Sequence, residues 1–168
     1  AQFLLLADQY PDADRVFNYD VFALTVAGGG IRQLTKTKSA EYRPAWSPDA
    51  ASIAMLATTR ALTSSETTME DTHVWVMKAD GSNRREIGSP LDNRQGAPRW
   101  SGDGKWVYLT VEERGSSKLY RVPAAGGLPE MVAPTPGERG SVTSWSIAKD
   151  GTLAYAAALA SSPPELYV

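Results

Sequence analysis

The chain has 168 residues, 42% hydrophobic and 21% charged, with a net charge of −2, eleven prolines and fourteen glycines. That suits one soluble domain dense in turns, and the near-neutral charge gives nucleic acid or anionic lipid nothing to grip. Cysteine is absent, which excludes disulfides and thiolate metal sites and leaves the compartment open.

Apolar runs such as Phe3 to Ala7 and Leu153 to Ala160 are too short to span a bilayer, so no membrane is expected as a partner. Residues 1–7 lack the basic flank and long apolar core of a signal peptide.

In chain order, Gln2 to Ala7 predicts a short strand, followed by a polar, turn-rich stretch from Asp8 to Asn18. Asp20 to Val26 predicts a strand, Gly28-Gly29-Gly30 a hairpin turn, and Ile31 to Thr35 the returning strand. Next comes Arg43-Pro44-Ala45-Trp46-Ser47-Pro48-Asp49-Ala50. It reads as a strand and a tight turn, since proline presets φ and aspartate bonds the backbone that follows it. An apolar strand, Ser52 to Ala57, completes the unit.

The unit recurs as Pro98-Arg99-Trp100-Ser101-Gly102-Asp103-Gly104 before Lys105–Val111, and as Ser144-Trp145-Ser146-Ile147-Ala148-Lys149-Asp150-Gly151 before Thr152–Ala157. The turn aspartates Asp49, Asp103 and Asp150 stand 54 and 47 residues apart. A second marker is an aromatic strand running into a glycine turn. Its aromatics Phe22, Trp75, Tyr120 and Tyr167 are spaced 53, 45 and 47 apart. Two independent markers therefore share a period of one four-stranded propeller blade.

The period predicts an all-β fold, a fragment of a β-propeller of four-stranded antiparallel blades, two complete and two partial. The partial blades cover 1–35 and 141–168; the complete ones cover 41–88 and 96–133. Their strands are expected at 43–47, 52–57, 74–78, 83–87 and at 97–101, 105–111, 118–122, 128–132, with the tryptophan strand innermost. Trp46 and Trp100 share one repeat position, so both are expected to be largely buried between blades. Rings usually need about four to eight blades. The chain thus reads as a piece of a larger ring, whose open sheet edges at Gln2–Ala7 and Leu166–Val168 favour self-association.

The Trp46-Ser47-Pro48-Asp49 and Trp75-Val76-Met77-Lys78-Ala79-Asp80-Gly81 blocks resemble the blades of TolB-like propellers. Asn18-Tyr19-Asp20-Val21-Phe22, Glu70-Asp71-Thr72-His73-Val74-Trp75-Val76 and Ser161-Ser162-Pro163-Pro164-Glu165-Leu166-Tyr167-Val168 resemble one subset. That subset is the propeller of the prolyl oligopeptidase family of serine peptidases, in its acylaminoacyl- and dipeptidyl-peptidase branch. Three positions depart from the pattern: Ala50 replaces a turn glycine, Gly102 a proline and Ile147 a tryptophan. The resemblance implies a hydrolase domain of the parent chain as partner, short peptides as substrate, and a propeller that limits access to the active site.

The residues themselves supply no catalytic centre. No Gly-x-Ser-x-Gly elbow occurs, and the single histidine, His73, heads an apolar strand and reads as structural. No metal ligand set and no cofactor site are expected. The three aspartates read as turn formers and the tryptophans as core. Gly28-Gly29-Gly30 and Gly126-Gly127 open no helix, so they are not phosphate loops. Arg84, Arg85 and Arg94 read as solvated charges. The loop from Thr58 to Thr72 is the one stretch with a binding reading. Its carboxylates Glu66, Glu70 and Asp71 are candidate substrate-binding residues, since a carboxylate holds a free amino terminus by a charge-assisted hydrogen bond. The leading expectation is a non-catalytic propeller segment of a serine peptidase; the alternative is a TolB-like propeller serving as a protein-interaction scaffold. A propeller lyase would need a central cluster of charges, which the sequence does not show.

Overall fold

The computed structural model describes residues 2–7, 18–60, 71–135, 140–159 and 161–168. Among them there is no helix, and so none long and apolar enough to cross a membrane. The described residues include fourteen strands, which form four antiparallel sheets in chain order. The first sheet holds β1 (Gln2–Ala7), β2 (Asp20–Thr25) and β3 (Ile31–Gln33). The second holds β4 (Glu41–Trp46), β5 (Ser52–Thr58), β6 (Thr72–Lys78) and β7 (Arg85–Glu86). The third holds β8 (Arg99–Trp100), β9 (Trp106–Glu113), β10 (Ser116–Pro123) and β11 (Glu130–Ala133). The fourth holds β12 (Ser141–Ile147), β13 (Leu153–Leu159) and β14 (Ser162–Tyr167). Within every sheet, neighbouring strands are consecutive in sequence. These are four propeller blades, two of four strands and two of three.

Alternation along each strand sends odd and even residues to opposite sheet faces. Both faces of the inner blades are apolar because both are covered. Val21, Ala23 and Leu34 of the first blade close on Ile53, Met55 and Met77 of the second. The other face of the second blade, with Ala54, Leu56, Val74 and Val76, packs against Val107, Leu109, Val111 and Val122 of the third. Tyr108, Leu119 and Ala133 then meet Val142, Trp145, Leu153 and Tyr155 of the fourth. Each blade thus lays its front face on the back of the next.

The tryptophan strand leads each complete blade, and the leading strands β4 and β8 touch each other. Trp46 and Trp100 do pack between blades, but both are half-buried rather than largely buried. Their strands lie at the blade edge, and the Trp100 indole N–H has to reach the Ala45 carbonyl, 3.0 Å away, across the seam. Several strands are shorter than expected, β7 and β8 the most. Pro98 gives no N–H to the ladder, so β8 holds only two residues. In the second blade the outer strand ends at a bulge where the amides of Ile87 and Gly88 both donate to the Val74 carbonyl. Leu34 and Thr35 do the same to Val21 at the equivalent place in the first blade. Strand β4 starts earlier than expected, at Glu41, because a second bulge lies between Tyr42 and Ala45, with Arg43 at φ 50°.

The repeated turn shows why its aspartate recurs. Asp49, Asp103 and Asp150 accept from the backbone N–H two residues on, at 3.0, 3.0 and 2.9 Å. Ser47 and Ser101 donate their hydroxyls to the same carboxylates at 2.6 Å. In the third copy Ala148 stands where that serine would be. The residue after the aspartate is left-handed in all three turns: Ala50 at φ 56°, Gly104 at 71° and Gly151 at 92°. Gly102 also has a physical reason, because a Cβ there would sit 1.9 Å from the Lys149 carbonyl oxygen of the next blade.

Ala50 therefore carries backbone strain that glycine would not. Ala50→Gly is expected to raise unfolding stability by about 0.5–1 kcal/mol, and Gly104→Ala to lower it by about 1 kcal/mol. Urea denaturation of both variants checks this, and opposite signs are the result to look for.

Candidate functional site

Of the three loop carboxylates singled out from sequence, Glu66 and Glu70 lie outside the described residues. Asp71 is exposed at the foot of β6, with its carbonyl accepting from the Thr59 amide at 3.0 Å, which closes the loop's base. Its Oδ1 lies 3.9 Å from Nε of Arg94. Arg94 belongs to the link between the second and third blades. The loop base and that link therefore share one rim of the molecule.

Gln95 fixes this rim. It is buried and carries out four backbone jobs. Its side-chain oxygen accepts from the Val74 amide at 2.8 Å, and its side-chain nitrogen donates to the carbonyls of Gly88 and Leu91, both at 2.8 Å. Its own amide donates to the Thr72 carbonyl at 2.9 Å. The link is thereby pinned to the start of β6, directly beside Asp71. Further along the same rim, a cavity of about 790 Å³ opens between the third and fourth blades, lined by Ser116, Pro134, Ser141, Tyr155, Leu159 and Tyr167 among others.

A second constellation lies buried in the seam between the first two blades. Glu41 is fully buried. Its Oε2 is 2.6 Å from the Thr35 hydroxyl, and its Oε1 is 2.8 Å from the Thr37 hydroxyl and 3.3 Å from an Arg84 nitrogen. Asp20, also buried, lies 3.1 Å from the same Thr35 hydroxyl and accepts from the Thr37 amide and the Gln33 side chain. The Arg84 guanidinium stacks 3.8 Å over the Trp75 ring. Arg84 is thus not a solvated charge: burial holds its pKa below the ordinary arginine value. Arg85 is likewise engaged, donating to the Ala124 carbonyl at 2.6 Å. His73 is buried with its Nδ1 2.5 Å from Glu86 Oε1, in agreement with a structural role.

Proton counting in this seam is informative. The Thr35 oxygen accepts from the Val21 amide at 2.8 Å, so its single proton serves only one of two carboxylates. A protonated Glu41 resolves the conflict by donating to Thr35, which then donates to Asp20. Electrostatics agree. Burial, the largest influence, pushes the Glu41 carboxyl above its ordinary 4.5; the two threonine hydroxyls and Arg84 pull it down, and Asp20 pushes it up. Nothing in the sequence marked Glu41, because its only charged partner, Arg84, stands 43 residues away and the threonines that bond it, 4 and 6 residues before it, carry no signal of their own. Among the described residues no group of three His, Cys, Asp or Glu side chains is placed to hold a metal ion.

No family model matches the chain. Solved structures do. A TolB protein from Agrobacterium tumefaciens matches over 96% of this chain and 52% of its own, at 19% identity and a TM-score of 0.68. An oligogalacturonate lyase in complex with manganese matches over 98% of this chain and 46% of its own, at 13% identity and a TM-score of 0.69. A puromycin hydrolase matches over 92% of this chain and 25% of its own, at 18% identity and a TM-score of 0.61. These likenesses show the fold, that of TolB-like β-propeller blades. The chain spans about half the length, or less, of each of these three structures.

The Glu41 seam sets a pH dependence. A carboxyl whose folded pKa is raised takes up a proton on folding, in the window between its ordinary value near 4.5 and the raised one. Its stabilising contribution is full below that window and is lost as pH rises through it. Glu41→Gln keeps the neutral hydrogen-bonding shape and is expected to flatten that loss. Glu41→Ala is expected to cost about 2–3 kcal/mol by taking the buried acceptor away from Arg84 and opening a gap in the seam. Urea midpoints measured across the mildly acidic to neutral range check both.

Proposed function

We propose that this chain is a non-catalytic propeller segment of a serine peptidase that acts on short peptides. It walls the route to a hydrolase domain carried elsewhere in the parent protein, and its rim carboxylates contact the substrate. The observation that carries the reading is Asp71, an exposed acid held on the rim beside Arg94 by the pinned backbone of Thr72 and Gln95. Glu70 and Glu66 belong to the same loop and are proposed to share the task. The resemblance of the Glu70–Val76 and Ser161–Val168 runs to prolyl oligopeptidase-family propellers supports this, as does the fold shared with puromycin hydrolase. The likeness to TolB favours the scaffold as second reading, with no enzyme attached. The reading frame beyond Val168 separates the two: the peptidase requires a Gly-x-Ser-x-Gly elbow followed by Asp and His.

The 168-residue chain alone is expected to show no serine-dependent peptide hydrolysis. In the complete parent protein, Asp71→Asn and Glu70→Gln are to be assayed on peptides with free and with blocked amino ends. Loss of a charge-assisted contact of about 1.5–3 kcal/mol lowers kcat/KM roughly 10- to 150-fold, on free-amine peptides only. Unchanged rates on both substrates would reduce the loop to an acidic surface insertion.

A further inference from the structure

Comparison of the repeats separates what a blade requires from what it does not. Counted from the turn aspartates Asp49, Asp103 and Asp150, the place of Ala45 and Ser146 is held by Arg99 in the third blade. The place of Pro44 and Pro98 is held by Trp145 in the fourth blade, and that of Leu56 and Ala157 by Thr110 in the third. These three departures meet. They line a cavity of about 350 Å³ in the seam between the third and fourth blades, with Ser117 and Val142 among its other walls. The Arg99 guanidinium lies 4.8 Å over the Trp145 ring, and its Nη1 donates to the Trp145 carbonyl at 3.2 Å. Leu56 fills the equivalent place in the preceding seam as core, whereas the hydroxyls of Thr110 and Ser117 have no hydrogen-bond partner among the described residues.

We infer that this cavity binds a small organic carboxylate, held by Arg99 with the Thr110 and Ser117 hydroxyls as further donors. The donor set decides the class. A guanidinium presents five N–H groups in a rigid fork that matches a carboxylate, and only one of its nitrogens has a protein acceptor here. Stacking on Trp145 and the bond to its carbonyl hold the fork in place before a ligand arrives, which lowers the ordering cost of binding. The lining carries no acid, and among the described residues no carboxylate pairs with Arg99. One positive charge balances a monoanion and leaves the second charge of a phosphate uncompensated. The surrounding charge favours an anion as well. The leading strands β4 and β8 carry Arg43 and Arg99 exposed and no exposed carboxylate, since Glu41 is fully buried, although the chain as a whole is at −2. The cavity lies at the small end of the range of about 300–1,000 Å³ for ligand sites. It therefore takes the carboxylate end of a molecule, such as the C-terminus of a short peptide, rather than the whole of it. Its walls are the faces that two neighbouring blades turn toward each other, and the inference does not rest on the proposed Asp71 contact.

Proton–nitrogen correlation spectra of the purified chain, read at the Trp145 indole N–H, test it. N-acetyl-dialanine has a blocked amino end that cannot engage Asp71, and it is expected to shift this signal saturably. Its C-terminal amide is expected to bind at least about tenfold more weakly, the loss of a charge-assisted hydrogen bond, and inorganic phosphate no better than the amide. Arg99→Gln is expected to weaken binding of the free acid by the same factor. Thr110→Val leaves the Arg99 stack in place and is expected to weaken it about 2- to 10-fold, as for one neutral hydrogen bond. Near-ultraviolet circular dichroism reports whether each variant keeps its fold. If Arg99→Gln does not, Thr110→Val decides, and unchanged binding there overturns the inference. So would the absence of a saturable shift, equal binding of acid and amide, phosphate binding as tightly as the acid, or undiminished binding by a folded Arg99→Gln chain.

Discussion

The structure depends on covering each twisted apolar sheet on both faces. A lone three- or four-stranded sheet with Ile, Met, Leu and Val on both sides has no stable solvent-facing side. Here that constraint is met by stacking: the front of each blade is the core partner of the back of the next. The contrast along the chain makes the point. Strand β5, covered on both sides, is almost entirely buried and β9 is buried at Val107, Tyr108, Leu109 and Val111, while β13 has no fully buried residue.

Polar groups caught in the stack have to be paired, and they are paired in the same places. The amide of Val21 and that of Val74 occupy equivalent positions, and each bonds to a side chain brought in by the following segment, the Thr35 hydroxyl and the Gln95 amide oxygen. In the first seam this solution brings in Asp20, Glu41 and Arg84 as a buried network. In the second it pins the inter-blade link and so fixes the rim on which Asp71 stands. The candidate site is thus a by-product of how the repeat satisfies its backbone.

Much of the fold was legible because the turn chemistry is local. Asp49, Asp103 and Asp150 announce themselves by residue type and spacing, and the alternating strands beside them follow. Ala50 and Gly102 looked like departures from the pattern and prove to be places where φ and a neighbouring carbonyl decide the residue. Arg84 and Glu41 were misread or missed because their partners come from separate strands of the blade and from the link before it, which no short window of sequence brings together. The half-burial of Trp46 and Trp100 was likewise set by where β4 and β8 end relative to the neighbouring blade. Of the candidate site, the sequence singled out the loop and its acids, of which Asp71 alone lies among the described residues. Arg94 was read only as a solvated charge and the pin Gln95 was not assigned, because a link between blades has no periodicity to read.

The central claim is that successive blades hold each other through their faces, and a double-mutant cycle across the seam between the second and third blades tests it most directly. Leu56→Ala and Leu109→Ala remove side chains from the two opposed faces of one cluster. If those faces form one core, the two losses in unfolding free energy couple, departing from additivity by at least about 0.5 kcal/mol. Additivity within about 0.3 kcal/mol would mean that the two sheets are stabilised separately, and it would contradict the account.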